Sequence, residues 1–175
     1  MKKIIIVVIL LITTLFIFTS PVLAEIEVNS SAVLPMIKRD YRINQLRKYL
    51  VSLDSPLSSY SAIFVRTADK YDLDWKLIPA ISGVESTFGK AIPPGSYNAY
   101  GWANGAYYFD SWEDSIEIVA KTLRENYFNR GADTVDKIAP IYAPPSTTWN
   151  WKVKFFMEKI AGFTISDTSD LELSL

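Results

Sequence analysis

The apolar positions of the chain fall into one nearly continuous run and a series of short periodic ones. The run is Ile4 to Phe18, broken only by Thr13 and Thr14, with Lys2 and Lys3 before it and Pro21-Val22-Leu23-Ala24 after it. A short basic start, an apolar stretch and small residues at Val22 and Ala24 form the pattern of an export signal cleaved after Ala24. Residues 1–24 are therefore expected to be a signal peptide. The same run approaches the ~20 residues needed to span a bilayer, so an uncleaved anchor is the alternative. Either way the remainder is expected outside the cytoplasm, meeting a membrane only through this segment. Residues 25–35 are polar, without helical period, and read as a linker; residues 163–175 read as a flexible tail.

Between these ends the apolar spacing is helical. Ile37, Tyr41, Ile43, Leu46, Leu50 and Leu53 mark one face of a helix over 36–53. Ser55-Pro56 is a cap followed by proline at the first helical position, opening a helix toward Tyr71. Asp74 is expected to cap a helix from Trp75 to about Phe88, with Gly89 as its stop. Ser111 and Asp114 resemble a capping box for a helix whose buried stripe is Trp112, Ile116, Val119, Ala120, Leu123 and Tyr127. A short helix over 134–142, a Pro144-Pro145 break and a last helix over 149–161, capped by Thr148 and stopped by Gly162, complete the series.

Residues 90–110 break the period. Asn104-Gly105 stands between Ala99-Tyr100-Gly101-Trp102 and Tyr107-Tyr108-Phe109, the strongest short-range signal for a two-residue hairpin turn. The expected fold is α+β and mainly α: a helical domain over 36–162 with one small β-hairpin lobe. Two strands are rarely stable alone, so the hairpin must pack on the helices, and the join forms a cleft.

Composition narrows the chemistry. The 175 residues include no Cys and no His, and 18 Lys+Arg balance 19 Asp+Glu. That excludes disulfides, thiol and Ser-His nucleophiles and His- or Cys-ligated metals, and no metal or other cofactor is expected. The lack of basic excess argues against nucleic acid as a partner. Carboxylates, Tyr, Lys, Ser/Thr and backbone dipoles remain.

Among the carboxylates Glu85 stands apart. It lies near the end of an apolar helix, among Ile81, Val84 and Phe88, with no Lys or Arg within four residues. An apolar setting and the negative end of a helix both disfavour its charged form, as a general acid requires. The second unusual segment, residues 97–112, holds seven aromatics in sixteen residues. Alternate residues of a hairpin share a face, so these rings cannot all be buried. Tyr100, Trp102, Tyr107 and Tyr108 are expected to divide between core and cleft, where flat rings stack on sugar faces.

Three segments in order carry a resemblance. Glu85-Ser86-Thr87-Phe88-Gly89-Lys90, Tyr97-Asn98-Ala99-Tyr100-Gly101-Trp102 and Ile141-Tyr142-Ala143-Pro144 before a Trp/Lys-rich last helix resemble the bacterial glucosaminidase family. That family, the mannosyl-glycoprotein endo-β-N-acetylglucosaminidase-like domain, belongs to the lysozyme-like superfamily. Its pattern is roughly Glu-Ser-Gly-Trp-Gly-Lys, Asn-Leu-Phe-Gly and a late Tyr-Ala. Lys70-Tyr71-Asp72-Leu73-Asp74 with 77–80 also resembles the soluble lytic transglycosylases. The resemblance, over about 60–162, implies a lysozyme-like domain with a glycan cleft, acting as a monomer on peptidoglycan glycan strands. It implies Glu85 as the catalytic acid and Tyr142 as a tyrosine lining the active site. Ser86, at a structural helix-end position, and Asn98 and Tyr100-Gly101, on the cleft floor, are implied on the substrate side.

One feature departs from ordinary glycosidases, which use two carboxyl groups: no Asp or Glu lies between Glu85 and Asp110. The expectation is a single-acid mechanism in which the substrate's 2-acetamido group or 6-hydroxyl supplies the nucleophile, with Asp110 as the reserve second acid. A glycan-binding module without catalysis on the same fold, and a structural envelope protein, are the competing readings.

Overall fold

The computed structural model describes the backbone of residues 30–164 and the side chains of 41–164. The expected signal peptide, and the tail beyond Thr164, lie outside the described residues. The chain divides into two compact units, residues 1–33 and 34–175; the side-chain detail below belongs to the second.

The described residues are helical, with no strand. Helix α1 (Ser30–Ser52) leads into a 3₁₀ turn (Pro56–Tyr60) and α2 (Ser61–Lys70). Then come α3 (Leu77–Ser86), α4 (Trp112–Thr122), α5 (Val135–Tyr142) and α6 (Trp149–Gly162). A π-turn (Leu123–Tyr127) and a 3₁₀ turn (Phe128–Arg130) extend α4, and Gly131 closes them at φ 90°. None of these helices is long and apolar enough to cross a membrane.

The start signals act largely as the sequence implies. The Ser55 hydroxyl accepts from Leu57 N at 3.1 Å and donates to Phe88 O. Ser111 accepts from Asp114 N, while Asp114 reaches back to Asp110 N rather than to the cap residue itself. Four expectations are corrected. Helix α1 begins at Ser30, so the end of the expected 25–35 linker is helical. Tyr41 is exposed, and the inner face of α1 carries Gln45, Leu46, Tyr49 and Leu50. Helix α3 starts two residues late, because Asp74 closes a turn onto the amides of Lys76 and Leu77 instead of capping the helix directly. At α6 it is the Ser146 hydroxyl, not Thr148, that accepts from the first free amides.

Helix α3 is the hub. Leu77 to Gly83 and Ser86 are all buried, leaving Val84 and Glu85 as its partly exposed residues. Its most extensive packing is against α6. Gly83 leaves room for the Phe88 ring, since a Cβ there would stand 2.5 Å from it. The chain after α3 passes through three left-handed residues, Thr87 (φ 52°), Phe88 (φ 58°) and Gly89 (φ 81°), which turn Phe88 back beneath the helix. There its ring meets Tyr49 and Phe156 edge-on, at 5.6 and 5.0 Å.

The expected hairpin does not form: Asn104-Gly105 lies in a 3₁₀ turn, Trp102–Gly105, with Ala103 and Asn104 both left-handed. Three successive left-handed residues, Ala103, Asn104 and Gly105, coil the segment so that the Ala106 amide returns to Ala103 O and the Tyr107 amide to Trp102 O. Asn98 holds this arrangement: its buried carboxamide donates to Trp102 O (2.9 Å) and Tyr107 O (3.0 Å) and accepts from Trp102 N (3.1 Å). One side chain at the neck thus gathers the segment into a closed loop, sealed by Phe109 N donating to Ser96 O.

Candidate active site

Glu85 reaches the surface where the end of α3, the 98–105 loop and the start of α6 meet. Its Oε1 accepts a 2.6 Å hydrogen bond from the Trp149 indole. Oε2 lies against Gly101: a Cβ on that residue would stand 2.8 Å from it, and Gly101 has φ 72°. Glycine is required there on both counts, for the left-handed backbone and for the close approach. Among the described residues no Lys or Arg forms an ion pair with the carboxylate. Burial raises its pKa, and the Trp149 hydrogen bond offsets only part of that rise. The acid therefore keeps its proton to higher pH than an exposed glutamate.

Beside Gly101 opens a groove of about 280 Å³, bounded by 100–104, Tyr127 and Tyr142. A smaller pocket of about 70 Å³ shares Trp102, Tyr127 and Tyr142 with it and continues between Val119, Thr122 and Leu123. Tyr142 donates to Tyr100 O at 2.8 Å and stacks on Trp149, with centroids 5.0 Å apart and planes at 27°. Burial, followed by the nearby charge of Glu85, pushes the Tyr142 hydroxyl well above the usual phenol range. It stays neutral, with its proton committed to a backbone carbonyl and its oxygen hydrogen-bonded by the Trp102 side chain. No carboxylate lines the groove or the pocket.

The residues expected at the site separate into three groups. Tyr142 and Trp102 line the groove, and Glu85 adjoins it at Gly101. Ser86, Asn98 and Tyr100 are at hand but buried. The Ser86 hydroxyl is shared between Ser82 O and Ala99 O and accepts from Gly89 N, tying α3 to the loop. Asn98 is spent on the loop, and Tyr100 offers the groove wall from a side chain 1% exposed. These three shape the site and present no free side-chain group to a ligand there. Tyr107 and Tyr108 are exposed, Tyr107 packing on Phe109 and Trp102, and neither lines the groove. Asp110 is exposed, away from both cavities.

Sequence reading missed Trp149 and Tyr127 as site residues. Trp149 was visible only as the first residue of the last helix, seven positions after Tyr142. Tyr127 was assigned to the buried stripe of α4, but the π-turn swings it into the groove wall. Among the described residues no group of three or more acidic side chains is placed to hold a metal ion. No protein-family model matches the chain, and no curated protein is matched by it.

Proposed function

We propose that this chain is a glycosidase of the glucosaminidase or lytic-transglycosylase kind, cleaving the glycan strands of peptidoglycan outside the cytoplasm. The observation that carries the reading is Glu85: a partly buried carboxyl with a raised pKa and no cation partner among the described residues, one oxygen held by an indole, the other against Gly101 of an aromatic groove. The ordered resemblance of the 85–90, 97–102 and 141–144 segments supports it, as do Tyr100, Gly101, Trp102 and Tyr142 in the groove lining. A lysozyme-like fold is part of the proposal, with a closed loop in place of the strand lobe.

No carboxylate lines the groove, and Glu85 adjoins it at Gly101, which favours a single acid. Glu85 gives its proton to the bridging oxygen as the bond from C1 to that oxygen breaks. The substrate's acetamido oxygen or its 6-hydroxyl oxygen bonds to C1. The Glu85 carboxylate then takes a proton, from an attacking water in the first case and from the 6-hydroxyl in the second. Tyr142, neutral and part of the groove wall, stands beside the positive charge that develops on the ring.

Mass spectrometry of peptidoglycan incubated with the protein tests the reading. Reducing ends are expected from hydrolysis and 1,6-anhydro ends from attack by the 6-hydroxyl. Retention of the chain on the glycan without any fragment would make it a binding module instead.

A further inference from the structure

We infer that Trp149 is a positioning residue that confines the acidic proton of Glu85 to Oε2, the oxygen that lies against Gly101. The inference rests on the reading of Glu85 as the acid. An indole nitrogen is a donor only. The oxygen it binds must therefore accept in both protonation states, and in the acid form the carbonyl oxygen is a better acceptor than the hydroxyl oxygen. The short 2.6 Å contact thus favours Oε1 as the carbonyl. The proton falls to Oε2, which lies against a residue with no side chain.

The indole is itself fixed. Trp149 is 3% exposed, its ring is stacked on Tyr142, and its backbone amide donates to Ser146 Oγ. Tyr142 is in turn pinned to Tyr100 O. The donor is thus set by α6, the proton-bearing oxygen by the loop, and the acid by α3. Without the indole a carboxyl can rotate and offer either oxygen; with it, one face is dedicated to transfer.

The groups around the carboxyl do not confuse its titration. Burial raises the hydroxyls of Tyr100, Tyr127 and Tyr142, so all three stay neutral through the acid and neutral range. Helix α3 carries no other charged residue. On α6, Lys152 and Lys154 are exposed, and Lys154 pairs with Asp136 of α5. On α4, Glu117 is engaged by Lys70 and Tyr71, while Glu113 and Lys121 are exposed.

Two measurements test this. In ¹⁵N-labelled protein the Trp149 indole resonance should titrate with the midpoint of Glu85, raised from that of an exposed glutamate by burial, and Glu85→Gln should flatten that titration. An indole resonance indifferent to pH, or one titrating unchanged in Glu85→Gln, would overturn the inference. Trp149→Phe keeps a ring on Tyr142 but removes the donor to the anion. The alkaline limb of the pH–kcat/KM profile on soluble glycan strands should then move up by about one pH unit or more; an unmoved limb counts against the role. If Trp149→Phe fails to fold, the indole titration of the unsubstituted protein decides. Should Glu85→Gln cleave glycan normally, the proposed function falls, while the same titration still reports where the proton sits.

Discussion

At the scale of single residues, Glu85 is held in a condition that folding disfavours. Burial lifts its folded pKa above the value in the unfolded chain. The proton it binds therefore stabilises the fold. That contribution is fully present below the unfolded pKa and is lost as pH rises through the folded one. Glu85→Gln, neutral at every pH, should melt higher than the parent at neutral pH. The gap should close as pH falls toward about 4, where both forms are uncharged. Thermal melts at the two pH values check this, and a variant less stable at both would count against a destabilised carboxylate. Activity should follow the same group: high on the acid side and declining as pH rises through the elevated pKa, because the acid works only while protonated. Glu85 was legible in the sequence because its apolar neighbours and the lack of a nearby cation are local facts. Its indole partner was not, since Trp149 lies 64 residues away and is supplied by the packing of α6 on α3.

At the scale of elements, the turn after α3 and the 98–110 loop hold the acid in place. Thr87 is a β-branched residue in the left-handed region, at φ 52° and ψ 52°, where the pattern it resembles has glycine. Such a residue pays a conformational penalty there. Thr87→Gly should stabilise the fold by about 0.5–1 kcal/mol in urea denaturation; a loss of stability would mean that the exposed side chain contributes more than its backbone costs. Asn98→Ala should act in the opposite direction. It strands the Tyr107 carbonyl and the Trp102 amide and takes one of two donors from the Trp102 carbonyl, at a cost of roughly 2–4 kcal/mol, and should reduce glycan cleavage by more than the fraction unfolded accounts for. Cleavage that simply tracks the folded fraction would show that the loop does not shape the groove. The helices could be read from their 3.6-residue period because burial of one face enforces it. The loop could not. Asn104-Gly105 between aromatic runs favours a hairpin locally, but left-handed backbone from Ala103 to Gly105 and the carboxamide of Asn98, six residues upstream of Asn104, close the segment into a loop.

At the scale of the whole molecule, the helices of the second unit are arranged around one buried helix, α3, whose partly exposed end carries a single acid. Apolar residues fill the interior without disulfides: Leu46, Leu50, Phe64, Ile78, Ile81, Ile116 and Ile138 are all 0–1% exposed. That packing keeps α3 fixed while the loop and α6 close on Glu85 from two sides. A mainly helical domain with a cleft was foreseeable from the chain; which rings line the cleft was not, because period alone cannot tell a core tyrosine such as Tyr100 from a wall tyrosine such as Tyr127. The most direct measurement is the release of glycan fragments from purified peptidoglycan by the parent chain and by Glu85→Gln, both confirmed folded. The parent should release fragments, and the variant should be at least about a hundredfold slower, as expected for loss of a general acid, while still sedimenting with the wall. Fragment release by Glu85→Gln at the parent rate would contradict the assignment of Glu85 as the acid.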